Sequence, residues 1–131
     1  MSTNRHIITL YVDEAAGTDD EYSAVFPLAG EWELLEAWFS PDTAASANGT
    51  NYATLSVLGN AQTTAIKEFS TATVANVVGT PRELADAAGY TRALATYTGQ
   101  VDTIQIDKVD SGTGALFQGS VSLAFEKVAN S

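Results

Sequence analysis

An all-β chain, folded as one antiparallel β-sandwich of about eight strands, is what this sequence predicts. Three observations predict it. The run Ser120 to Val128 alternates, with Val121, Leu123 and Phe125 on one side and Ser120, Ser122, Ala124 and Glu126 on the other, as a half-buried strand must. Similar runs recur at roughly even spacing with turn residues between them, the pattern of an antiparallel sandwich or barrel. No cluster of nucleophile, base or metal-ligating residues sits between the runs, so the chain reads as a module that binds or builds, not as an enzyme.

Taken in order, Ile8, Leu10 and Val12 alternate with Ile7, Thr9 and Tyr11 in a first strand. Residues 13–21 (DEAAGTDDE) form a polar loop. Tyr22, Ala24, Phe26 and Leu28 define one face of a second strand, placed at a sheet edge or ending near Pro27 because proline lacks an N–H. Glu31 to Phe39 is rich in helix formers. It suits a short helix with Leu34, Leu35 and Trp38 on one side, or a strand with Leu35, Ala37 and Phe39 inward and Trp32, Leu34 and Trp38 outward. The abrupt stop at Ser40-Pro41-Asp42 and the strand-like neighbours favour the strand.

An Asn48-Gly49 turn leads into a strand over 51–58, with Leu55 and Val57 inward and Tyr52, Thr54 and Ser56 outward. Thr64 to Phe69 and Thr73 to Val78 are β-branched and alternating, so two shorter strands are expected. Pro81 and Gly89 flank Arg82 to Ala88 as they would flank a short helix, with an irregular loop as the alternative. Tyr90 to Thr98 suits a strand. Val101 to Val109 is a clearer one, with Ile104 and Ile106 buried. Residues 110–114 (DSGTG) turn the chain into the terminal strand.

At 131 residues the chain suits a single domain, 1–131, that folds without disulfides or metal. It has no cysteine, which excludes thiol chemistry and cysteine-ligated zinc. The net charge is −10. Residues 1–60 carry nine acids against Arg5 alone, net −8; residues 61–131 carry seven acids against five bases, net −2. Such a surface repels phosphate backbones and anionic bilayers, so neither nucleic acid nor membrane is an expected partner. The first ten residues hold no long apolar run and do not read as a signal peptide. Synthesis in a cytoplasm is expected, with the product staying there or entering a particle assembled there.

His6, the only histidine, lies near the chain start beside Arg5 and reads as an edge or solvent-facing side chain rather than a catalytic base. Asp13, Glu14, Asp19, Asp20 and Glu21 offer oxygens of the kind calcium takes. Their spacing lacks the EF-hand register, so the loop reads as a solvated acidic run, with a weak or subunit-shared metal site left open. Glu31, Glu33 and Glu36 have no second acid placed across a cleft, so glycoside hydrolysis is not expected. No catalytic residue, cofactor or metal ligand is therefore assigned. Trp32, Trp38, Tyr11 and Tyr52 are the candidate interface residues, because exposed aromatics anchor protein interfaces or stack on sugars. Core packing is the competing role for the two tryptophans.

The segments AWFSPDTA (37–44), NGTNYATLSV (48–57), GTPREL (79–84), GQVDTIQI (99–106) and KVDSGTG (108–114), followed by a long final strand, resemble small decoration (cement) and head-fibre proteins of tailed bacteriophages from about Glu31 onward. The Ala-rich stretch Leu84 to Ala88 and the acidic start have no counterpart in that pattern. The resemblance implies a jelly-roll-like sandwich on the outer face of a virion head. It implies the major capsid protein as partner and a homotrimer at three-fold positions. A carbohydrate- or receptor-binding module is the alternative expectation, with the aromatics as stacking platforms.

Overall fold

A computed structural model describes residues 5–129. It contains ten strands: β1 (Arg5–Glu14), β2 (Asp20–Val25), β3 (Glu31–Pro41), β4 (Tyr52–Leu58), β5 (Ala65–Ser70), β6 (Arg82–Glu83), β7 (Ala85–Asp86), β8 (Thr96–Thr98), β9 (Thr103–Ser111) and β10 (Phe117–Lys127). They form two antiparallel five-stranded sheets. The first, sheet A, has the order β1-β10-β3-β6, with β8 also pairing β3; the second, sheet B, has the order β2-β9-β4-β5-β7.

The antiparallel pairs are nested. β1 pairs β10, β2 pairs β9, β3 pairs β8, and β4 pairs β5. The chain is thus one long hairpin, its two arms running side by side and alternating between the sheets. That is the jelly-roll wrapping, and β6 and β7 are two-residue additions to its eight principal strands.

Alternation drives the packing. Val12, Val121, Leu123, Phe125, Leu34, Ala37 and Phe39 from sheet A meet Ala53, Leu55, Val57, Ile66, Phe69, Ile104 and Ile106 from sheet B. Phe26, Trp32, Tyr97 and Phe125 form an aromatic cluster at one end, with Phe26 and Phe125 rings 4.8 Å apart edge to face. Tyr97 is fully buried, and its hydroxyl donates to the Leu58 carbonyl. Burial holds the proton on that hydroxyl well above the ordinary tyrosine range, with Asp102 adding to the effect.

β3 corrects the expected inward set. Trp32 and Leu34 face the core, as do Ala37 and Phe39, while Leu35 and Trp38 do not. The pairing with β10 jumps from Ala124–Glu36 to Phe125–Leu34, so Leu35 is an extra residue in the ladder. This β-bulge switches the face on which the following side chains lie. Strict alternation through 31–39 assigns the first half of the strand to the wrong side.

Two other segments depart from expectation. Residues 73–78 are not a strand but turns holding a single bridge, Ala45 to Asn76. β-branched composition records fit to neighbouring strands more than backbone preference, and the free side of β5 is already taken by β7. Arg82 to Ala88 is not a helix. Seven residues do not offset helix nucleation by themselves. Instead β6 joins β3 and β7 joins β5, while buried Leu84 between them donates its N–H to Ala37 at 2.9 Å. The segment therefore crosses from one sheet to the other. Of Tyr90 to Thr98, only the last three residues are extended.

Gly119 keeps the long final strand close to β3. Its φ is 155°, and a Cβ there would lie 2.1 Å from the Ser40 carbonyl oxygen. No larger residue fits without moving one of the two strands.

Candidate docking face

The outward residues of β1, β10, β3 and β6 line up in rows across sheet A. Tyr11, Ser120 and Ser40 make one row. Thr9, Ser122, Trp38 and Glu83 make the next, and Ile7, Ala124 and Glu36 the third. In these rows the central strand therefore shows only small side chains, while its neighbours carry the large apolar ones, Ile7 and Tyr11 on β1 and Trp38 on β3. Ile7 is 65% exposed, Tyr11 51% and Trp38 39%. Two strand spacings separate the β1 and β3 columns, about 10 Å. The result is a shallow trough floored by Ser120, Ser122 and Ala124. The Thr9 hydroxyl oxygen, on its β1 side, lies 3.5 Å from that of Ser122.

Charge surrounds this apolar middle. Glu36 and Glu83 flank Trp38, and the last row holds Arg5, Glu126 and Glu33. Arg5 pairs with Glu126 at 3.6 Å, and Arg92 donates to Glu33 at 3.2 Å. The nearby Asp42 carboxylate favours the protonated Tyr11 hydroxyl and raises its pKa above the ordinary tyrosine value.

The four predicted interface residues separate. Tyr11 and Trp38 share the trough. Tyr52 lies on β4, in the other sheet, and is partly covered. Trp32 is 7% exposed and belongs to the core, against Phe26, with its indole N–H donating to Ala29 at 3.1 Å. It is no stacking platform. Ile7, the most exposed of the trough's large side chains, was not among the predicted residues. The adjacent apolar pair Leu34-Leu35 is the sequence signal that an alternating run contains a bulge, and it would have moved Trp32 inward.

His6 points inward on the edge strand β1. Its ring lies edge-on to Phe26 and Trp32, 6.4 Å from each. The acidic 13–21 segment is more ordered than a solvated loop. Glu14 is buried and accepts from the Tyr22 hydroxyl at 2.6 Å, joining the edges of the two sheets. Burial first, then this carboxylate, push the Tyr22 pKa up to about 12. Lys108 is fully buried at the same end. Its ammonium donates to the Ala15 and Thr18 carbonyls at 2.9 and 2.8 Å and to Asp110 at 2.6 Å. A lysine thus gathers the loop oxygens that a cation would otherwise collect. Among the described residues no three His, Asp or Glu side chains form a metal-holding group.

A second buried lysine ties the opposite edges. Lys67 reaches from β5 to the carbonyl of the bulged Leu35, 3.3 Å away, and to Asp86 at 2.5 Å. The alternation that buries Ile104 and Ile106 also turns Lys108 inward, whereas no such pattern marks Lys67.

Two depressions also mark the surface. A groove of about 460 Å³ at the β8 end is lined by Glu31, Asn60, Arg92, Thr98 and Asp102, among others. The sequence offered no acid opposite Glu31; the fold brings Asp102 into the same groove. Asp102 is already engaged, accepting from the Thr98 N–H at 2.7 Å. A smaller hollow of about 290 Å³ lies beside Asp19, Asp20, Glu21 and Asp107. No family model, curated protein or solved structure matches the chain.

Proposed function

We propose that this chain is a structural virion protein that decorates the outer surface of a tailed-phage head, binding major capsid protein through the trough on sheet A. The observation that carries this reading is the exposure of Ile7, Tyr11 and Trp38 around a small-residue floor, ringed by Glu36, Glu83 and Glu126. Stable protein interfaces combine a desolvated apolar centre with a polar rim, and aromatic anchors contribute most of the binding. The acidic rim suits a partner whose own rim is basic, and that complementarity speeds and orients encounter more than it sets affinity. A subunit that binds only the expanded head stabilises that state by mass action.

Mixing the purified protein with emptied heads lacking it, followed by sedimentation, tests the reading. Saturable co-sedimentation that weakens at high salt is the expected outcome. Absence of binding at micromolar concentration sinks it.

The polar groove beside Asn60, Arg92 and Asp102 favours a second reading, a carbohydrate- or receptor-binding module, since such groups hydrogen-bond polyols. Binding to a glycan array that is lost on Arg92→Ala, with no binding to heads, would support it over the first.

A further inference from the structure

We infer that two copies of this chain pair edge to edge through β1, antiparallel and about a two-fold axis at Thr9. The inference does not rest on the capsid reading, and it puts a two-fold dimer where the phage resemblance implies a trimer.

The sheet edges differ. β6 and β7 are two residues each, and β8 is three. β2 has six residues, but it carries Asp20 and Glu21 with no base. β1 has ten residues, and among the described residues its only strand partner is β10. Its free side can be read from one bond. Asp13 donates its N–H to the Tyr22 hydroxyl at 3.0 Å, so the N–H of Asp13 points away from β10. Backbone groups alternate along a strand, so those of Tyr11, Thr9 and Ile7 point the same way. Their partners in β10, Ser120, Ser122 and Ala124, face them as non-hydrogen-bonded pairs. Such an edge is a template for another strand.

The sequence of the edge is complementary to itself. Centring the axis on Thr9 sets Thr9 opposite Thr9, Ile7 opposite Tyr11, and Arg5 opposite Asp13 of the second copy. Thr–Thr, aliphatic–aromatic and opposite-charge pairs are each favourable cross-strand neighbours. The three central pairs would exchange roughly six ladder hydrogen bonds. Arg5 already leans on Glu126 at 3.6 Å, and Asp13 accepts from Gln118 at 2.6 Å, which leaves its second oxygen for the new partner. A shift by two residues along the strand would lose the Arg5–Asp13 match and set Arg5 opposite Tyr11. Because the axis is perpendicular to the sheet, both troughs lie on the same side of the dimer, with Ile7 and Tyr11 of the two copies forming its central ridge.

Sedimentation velocity across a concentration series tests this. A monomer–dimer equilibrium is expected for the wild type. Thr9→Pro removes an N–H that β10 does not use, so it should weaken dimerisation about tenfold or more while circular dichroism and thermal midpoint hold. Arg5→Glu should weaken it about tenfold, and adding Asp13→Arg should restore it by reversing the pair. A chain that stays monomeric at millimolar concentration, or closes as a trimer, overturns the inference. So does dimerisation unaffected by Thr9→Pro, or an Arg5→Glu loss that Asp13→Arg fails to rescue.

Discussion

The two outer faces of the sandwich are built from the same alternation but carry different chemistry. On sheet A, β10 lies at the centre with Ser120, Ser122 and Ala124 outward, between Ile7 and Tyr11 on one side and Trp38 on the other. On sheet B, one row runs Glu21, Asp107, Ser56, Glu68 across four strands. Three carboxylates in a row repel one another and hold water; apolar side chains beside a small-residue floor lose little by shedding it. The net charge describes neither face. The distribution across the strands sets apolar side chains around the middle of one face and a row of carboxylates across the other.

The largest expected effect is a way to break the scaffold under the acidic face. Lys108→Met leaves the buried Asp110 carboxylate with only the Ala115 N–H, and two loop carbonyls without their ammonium donor. Removing one partner of a buried pair costs about 3–5 kcal/mol, and urea unfolding should show a loss of that size. Adding Asp110→Asn should recover part of it.

Next in size is the comparison itself. Trp38→Ala should weaken head binding about tenfold or more, as loss of an aromatic anchor does. Glu68→Gln, on the opposite face, should leave binding within about twofold. Binding titrations on the two variants, with unfolding curves alongside, read both. Equal losses, or a larger loss for Glu68→Gln, would assign docking to sheet B.

A smaller effect sharpens the boundary between the faces, where Tyr22 of sheet B donates to Glu14 of sheet A. The folded Tyr22 pKa lies at about 12 against an ordinary value of 10.0. Below pH 10 both states keep the proton and the contribution is whole. As pH rises from there through the folded value, the unfolded chain ionises first and stability falls. Tyr22→Phe should flatten that alkaline decline in thermal melts taken from pH 9 to pH 12, a window set by the same two values. An unchanged decline would remove Tyr22 as its cause.

The smallest effect tests the repulsion on sheet B. Glu21 lies directly opposite Asp107 in the ladder. Glu21→Gln should stabilise the chain by a few tenths of a kcal/mol at low ionic strength, and the gain should vanish in molar salt. A loss of stability at low salt would show that this pair does not repel.

Much of this architecture was legible in the residues. The inward sets of the first strand, of 51–58, of 101–109 and of the final strand all stand as read, because period-two burial is written into each run. Pro27 marked the end of an edge strand for a backbone reason that needs no tertiary knowledge. The failures share one cause. Trp32 was placed outside because the bulge at Leu35 depends on how β3 meets β10. Arg82 to Ala88 read as helical because local preference ignores two sheet edges waiting to be paired. Of the candidate interface residues, Tyr11 and Trp38 share a face, while Tyr52 and Trp32 do not join them.

Alone, the order of residues determined that the chain makes strands, where most of them begin and end, and which side of most of them is apolar. Those properties follow from forces acting within a few residues. The third dimension decided which strands became neighbours, and so which side chains stand in the same row. It surrounded two inward lysines with oxygens from far along the chain, the Ala15 and Thr18 carbonyls for Lys108 and the Leu35 carbonyl and Asp86 carboxylate for Lys67, a solvation no local pattern encodes. It also put β1 at the edge of sheet A among the described residues, because a sheet has an edge only once its order is settled.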